Sequence, residues 1–149
     1  MTFNENLTRQ LTGDEGNKTT VYKDSLGFWT IGIGRLVDPA KQGSGLRQCE
    51  IAFMLANDIK ERLDDLGRLL PWMGSLSDAR KAVLLNMSFQ LGVNGLLAFK
   101  NTLAMIKIGD FEGASKGMLN SKWATQTPER AARLSEQMRL DSWQYAKGT

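Results

Sequence analysis

The sequence predicts an α+β fold: a small N-terminal lobe carrying a β-hairpin sheet, one long linking helix, and a larger all-helical C-terminal lobe. Three observations carry that reading. Alternating β-type segments are confined to residues 21–33. An apolar stripe of helical period, Ile51, Leu55, Ile59 and Leu63, runs through the stretch from about Leu46 to Leu66. Every later segment has the punctuation and spacing of helices. With 149 residues the chain is long enough for one domain with a real core.

In chain order, Phe3, Leu7 and Leu11 recur at i, i+4 and i+8 and predict a helix over 3–12, with Gly13 and Gly16 marking its end. Val21–Asp24 and Phe28–Ile33 read as strands, and Asp24-Ser25-Leu26-Gly27 fits a type I turn between them. Residues 37–45 are loop by composition. The helix over about 46–66 would be about 30 Å long, enough to bridge two lobes, with Gly67 and Pro71 ending it. Ser75 or Ser77 opens a helix that Gly92 closes, and Phe99–Ile108 and Phe111–Asn120 follow. Thr127-Pro128 opens the last helix, with threonine as N-cap and proline at the first helical position, running to about Leu140. The expected division is an N-terminal lobe of about 13–58, the linking helix of about 46–66, and a C-terminal lobe of about 67–149 on which helix 3–12 packs.

Composition narrows the chemistry. There is no histidine and one cysteine, Cys49, so histidine triads, the usual zinc sites and an internal disulfide are excluded. No metal or cofactor is expected. The net charge of +3 comes without the Lys/Arg blocks of nucleic-acid arms, so no nucleic-acid partner is expected. No apolar run approaches the roughly 20 residues of a membrane span, so stable membrane insertion is not expected. The start, Met1 to Leu7, lacks a basic stretch followed by an apolar core, so no signal peptide is expected either.

The segment from Ala82 to Leu91 is apolar almost all round, as in a helix inside its domain. Asn86 and Gln90 form an i, i+4 polar stripe on it, which must find partners or line a cleft. Met87 and Phe89 read as packing residues.

Glu15, Asp24 and Thr30 are the candidates for chemistry. Singly, each has an ordinary explanation: a surface acid, a turn-capping aspartate and a β-forming threonine. Their arrangement is less ordinary. Two carboxyl groups facing across a cleft are what glycosidic-bond hydrolysis needs. Glu15 stands at a helix C-terminus, where the dipole disfavours its anion and favours the protonated acid. Asp24, beside a turn, is placed to stay ionised, so environment separates acid from base. Alternation predicts Trp29, Ile31 and Ile33 on a core face, with Phe28, Thr30, Gly32 and Gly34 on the open one.

The run Glu15-Gly16, Tyr22-Lys23-Asp24, Gly27 and Thr30-Ile31-Gly32-Ile33-Gly34 closely resembles the phage lysozymes of the T-even type, glycoside hydrolase family 24. The resemblance continues through Asn86-Met87-Ser88-Phe89-Gln90-Leu91-Gly92 and Trp123-Ala124-Thr125-Gln126-Thr127-Pro128-Glu129-Arg130, in the same order over nearly the whole chain. It implies the lysozyme-like form of the fold and an endolysin muramidase that cuts the β-1,4 bond between N-acetylmuramic acid and N-acetylglucosamine in peptidoglycan. It implies Glu15 as general acid, with Asp24 and Thr30 positioning water in an inverting geometry, the carboxyl groups about 6.5–9.5 Å apart. Cleft positions carry over to Leu36, Phe89, Gln90 and Gln126. Thr102 stands where the family often has serine, and Arg130 corresponds to an arginine reaching towards the catalytic glutamate. A monomer is expected, held in the producing cell's cytoplasm before lysis and needing a membrane hole (a holin) to reach the cell wall.

Two departures stand out. Arg35 occupies a position where the family often has histidine, and the expected partner is Asp58 on the linking helix. The link from Leu36 to Leu46 is short where longer relatives insert a small helix, so a lower wall and a more open cleft are expected.

Overall fold

The computed structural model describes residues 2–148. The side chain of Phe3, first in the expected helical stripe, lies outside the described residues. The elements run α1 (Phe3–Glu15), β1 (Lys18–Lys23), β2 (Trp29–Gly32), β3 (Arg35–Leu36), α2 (Gln48–Leu69), α3 (Asp78–Leu97), α4 (Lys100–Lys107), α5 (Phe111–Leu119), α6 (Lys122–Gln126) and α7 (Pro128–Leu140). A 3-10 helix, Pro71–Ser75, joins α2 to α3. The architecture is the expected α+β one. The chain divides into two compact units, Met1–Leu55 and Ala56–Thr149, and the division falls within α2.

In the first unit, Thr2 and Glu5 form a capping box that starts α1. Gly16 ends it with φ 78°, its N–H donating to the Thr12 carbonyl at 3.0 Å, a backbone state that costs glycine nothing. The helix therefore reaches Glu15, three residues beyond its expected end. The sheet is antiparallel in the order β1-β2-β3. The third strand was not expected; two residues are too few for a periodicity to register. Tyr22 pairs with Thr30, and Thr30 with Leu36, so these three side chains share one face.

That face is not the one alternation suggests. Thr30 is 4% exposed, while Trp29 is 42% and Ile33 40% exposed. Alternation fails because β2 is four residues long and gives way at Gly32 and Gly34, both at positive φ. As the central strand, β2 buries its middle side chain against two neighbours. Trp29, expected in the core, instead faces out beneath Lys23, whose Nζ lies 5.1 Å from its ring, and Phe28 lies beneath Lys41, whose Nζ is 4.0 Å from its ring.

The second unit is helical. Glycine at 67 does not end α2, which runs to Leu69. A helical glycine costs only about 1 kcal/mol, and the buried Leu66 and Leu70 on either side hold the turn in the core. Proline at 71 then opens the 3-10 helix. Ser77 caps α3 by accepting the Arg80 N–H. Gly92 breaks the helix as expected, at φ 73° and ψ 167°, but helix resumes to Leu97. The short α6, capped by Ser121, was also not expected. Thr127 stands at the N-cap of α7, yet its hydroxyl donates back to the Trp123 carbonyl at 3.1 Å and does not cap. The core includes Val83, Leu84, Met87, Leu96, Met118 and Met138, each at most 1% exposed. Buried Gln137 ties three segments together: its amide Nε2 donates to the Ala79 carbonyl and Oε1 accepts the Gln144 N–H. Among the described residues, every buried side-chain polar atom has a partner, and no single helix is long and apolar enough to cross a membrane.

Candidate active site

The sequence-predicted site residues fall into two groups, one in each unit. The first unit holds Glu15, Asp24, Thr30 and Leu36. Glu15 is the last residue of α1. Its backbone carbonyl accepts the Tyr22 phenol at 3.4 Å, which ties the helix end to the face that carries Thr30 and Leu36. Gly34 backs onto the Glu15 carboxyl: a methyl group at Gly34 would stand 2.9 Å from Oε2 and 3.1 Å from Cδ, at a backbone φ of +70°. Glycine is thus required twice there, for its conformation and for the closeness of the carboxyl.

Asp24 opens the turn. Gly27 N–H donates to the Asp24 carbonyl at 3.0 Å, as a type I turn requires. Asp24 Oδ1 accepts the N–H groups of Leu26 at 2.9 Å and Phe28 at 2.8 Å. The turn therefore fixes the carboxylate through one oxygen, and Oδ2 takes no part in either bond. Thr30 Oγ1 donates to the Phe28 carbonyl at 3.0 Å. Its proton is committed to the backbone, so its lone pairs are what it offers to a partner.

Arg35 binds Glu50, correcting the expected pairing with Asp58. Nη1 reaches Oε2 at 3.0 Å and Nη2 reaches Oε1 at 2.6 Å, a two-pronged contact. Glu50 lies in the first turn of α2, adjoining the loop that follows Arg35; Asp58 lies eight residues on, about 12 Å further along the helix. Arg47 closes the same cluster, donating its N–H and its guanidinium to Glu50 at 2.7 Å each. The Arg47 side chain, its backbone N–H and the Arg35 guanidinium, in that order, pull the Glu50 carboxyl down to about 2.

Phe89, Gln90, Thr102, Gln126 and Arg130 belong to the second unit. Gln90 Oε1 accepts the Trp123 indole N–H at 2.9 Å, and Asn86 Oδ1 accepts from Arg130 Nε at 2.8 Å and Nη2 at 2.6 Å. The polar stripe Asn86/Gln90 on α3 is thereby satisfied by α6 and α7. Arg130 is engaged by Asn86 rather than by a carboxylate in this unit. Phe89 is 36% exposed and lies beneath Arg62, whose Cζ is 5.5 Å from the ring. Thr102 and Gln126 line one groove of about 840 Å³, together with Phe99, Trp123, Lys100 and Lys122. Phe99 and Trp123 meet edge to face there, with ring centroids 6.1 Å apart. Thr102 is itself 5% exposed, its hydroxyl seated where a methyl on Gly117 would come within 2.6 Å.

Three residues that brace this region are not among the expected site residues: Tyr22 and Gly34, which meet Glu15, and Asp38, which binds the Trp29 amide. Asp38, 9% exposed, accepts the Trp29 N–H at 3.1 Å and the Ala40 N–H at 3.0 Å. These two amides, the larger effect from Trp29, hold its carboxyl below the usual range. An Asp-Pro step in a loop signals a turn, but nothing local signals that the carboxylate reaches a strand nine residues back. Among the described residues no cluster of three or more His, Cys, Asp or Glu side chains is arranged to hold a metal ion.

The family model for phage lysozyme matches residues 12–138. The chain is 30% identical over 146 residues to the probable T4-type lysozyme 1 of Dictyostelium discoideum, covering 81% of this chain and 86% of that protein. It is 32% identical over 135 residues to the peptidoglycan hydrolase gp36 of Pseudomonas phage phiKMV, covering 89% of this chain and 15% of gp36. With the pre-baseplate central spike protein Gp5 of Enterobacteria phage T4 it shares 28% over 156 residues, covering 27% of that protein. A carboxyl at a helix end, a second held by a hairpin turn and a family match over most of the length lead to one conclusion: the chain belongs to the phage lysozyme family and is a hydrolase of the glycosidase type, acting on peptidoglycan.

Proposed function

We propose that the enzyme cleaves the β-1,4 bond between N-acetylmuramic acid and N-acetylglucosamine by an inverting mechanism. The observation that carries this reading is that the Thr30 hydroxyl proton is committed to the Phe28 carbonyl, while the Asp24 carboxylate accepts both of its backbone N–H groups through Oδ1. Both groups then present acceptors. A water molecule donating one hydrogen to Asp24 Oδ2 and the other to Thr30 Oγ1 keeps a lone pair for the anomeric carbon. Asp24 takes the proton as that water attacks. Glu15, on the far side of the sugar, gives its proton to the leaving glycosidic oxygen, and the product is inverted at the anomeric carbon. Gly34 lets the backbone lie against the Glu15 carboxyl and limits where it points. Leu36 on the Thr30 face and Phe89, Gln90, Thr102, Gln126 and Arg130 in the second unit are proposed to contact the glycan or its peptide.

Digestion of purified peptidoglycan tests the scheme. Wild type is expected to release reducing muramic ends, with the inverted anomer detected first by NMR. Glu15→Gln, still folded, is expected to lose at least about 10²-fold in rate. Anhydro-muramic ends would overturn the hydrolytic reading in favour of a transglycosylase, and binding without cleavage by folded wild type would leave a binding module.

A further inference from the structure

Asp38 has no task in the scheme above, yet it is the buried carboxylate of the first unit. It sits where β3 has ended and the loop 37–45 turns away. The backbone of Trp29 faces this side: its carbonyl accepts the Val37 N–H at 2.9 Å, and its N–H would have no strand partner without Asp38 Oδ2 at 3.1 Å. Phe28 faces the opposite side, its N–H on Asp24 Oδ1 and its carbonyl accepting the Asp24 N–H at 2.9 Å. Two carboxylates thus grip consecutive residues from opposite edges. The Phe28 carbonyl held between them accepts the hydrogen bond of the Thr30 hydroxyl. The loop holds Asp38 in turn: the Asp38 carbonyl accepts the Ser44 hydroxyl at 2.6 Å, and Oδ1 accepts the Ala40 N–H.

We propose that Asp38 is a positioning residue for the Asp24–Thr30 pair, fixing the Phe28-Trp29 backbone that aims both acceptors at the attacking water; this rests on the muramidase reading and deepens it. The short loop is then more than a missing insertion. It carries the acceptor that completes the edge of β2.

Asparagine is the informative substitution. It has one oxygen for two N–H donors, and the tight turn to Ala40 is the bond it keeps most readily. Its amide then faces the Trp29 N–H, donor against donor. Ser44→Ala is the comparison, since it loosens the loop without touching Trp29. Steady-state kinetics on soluble glycan fragments and amide hydrogen exchange by NMR are read on wild type and both variants. In Asp38→Asn, kcat is expected to fall at least about tenfold with KM within about twofold, as for a misaimed but still bound substrate. The Trp29 amide is expected to exchange at least about tenfold faster, since its partner is gone. Ser44→Ala is expected to change neither. Unchanged kcat in folded Asp38→Asn, or an equal fall in Ser44→Ala, would overturn the proposal. Asp38→Ser serves with the same readings should the asparagine variant not fold. Wild type that fails to cleave would sink the muramidase reading itself; unchanged Trp29 exchange in Asp38→Asn overturns the role of Asp38 whatever the activity.

Discussion

At the scale of single residues, the site depends on backbone groups as much as on side chains. Asp24 and Thr30 are aimed by bonds to the Leu26, Phe28 and Phe28 peptides, and Glu15 is confined by the bare α-carbon of Gly34. Gly34→Ala tests the last point. The added methyl meets Glu15 Oε2 at 2.9 Å, and a side chain at φ +70° is strained. We expect a stability loss of about 1–2 kcal/mol and a fall in kcat of about ten- to a hundredfold, measured on protein shown to be folded by circular dichroism. Full activity in that variant would mean that the carboxyl moves aside without penalty. Glu15, Asp24 and Thr30 stand out as candidates in the sequence because their spacing around a turn is local. Gly34 was legible only as a glycine beside a strand; the carboxyl pressing on it comes from a helix that ended nineteen residues earlier.

At the scale of elements, the start of α2 shows how one carboxylate serves several. Glu50 accepts the Arg47 N–H at the helix entrance and holds two guanidinium groups. Its folded value is pulled from 4.5 to about 2, so its contribution is fully present above about pH 4.5 and is lost as pH falls towards 2. Glu50→Gln is therefore expected to lower Tm at pH 7, with the difference from wild type shrinking between pH 5 and 2 in thermal scans. A difference that stays constant across that range would place the effect in packing instead. Helix starts were legible from Ser77 and from Thr127-Pro128 because caps are local chemistry. The Thr127 hydroxyl nonetheless turns back to Trp123, since α6 ends against it and offers a nearer carbonyl. The same closeness hid α6, whose five residues are too few to show a period.

At the scale of the whole molecule, stability resides chiefly in the helical core. Met87, on the all-apolar segment of α3, is 1% exposed and packs within that core. Met87→Ala is expected to cost about 2–5 kcal/mol, read from denaturant unfolding. A loss below about 1 kcal/mol would show that neighbouring side chains close the gap. The polar neighbours of Met87 anchor the surrounding helices: Asn86 receives Arg130 from α7 and Gln90 receives Trp123 from α6. These two were recognised as a stripe in need of partners. Which partners answered it could not be read from a helix in isolation, because they lie 33 and 44 residues away.

By itself the sequence determined the fold class, the order of most elements and the turn at Asp24, and it marked a helix end close to Glu15. All of these rest on periodicity, caps and turns within a few residues of each other. Tertiary structure decided the rest. It buried Thr30 at the centre of a three-stranded sheet, gave Arg35 to Glu50, seated Gly34 on the Glu15 carboxyl and brought Asp38 to the Trp29 amide. Each of these outcomes depends on which backbone donor or charge is left over when distant segments meet, and local pattern carries no record of that.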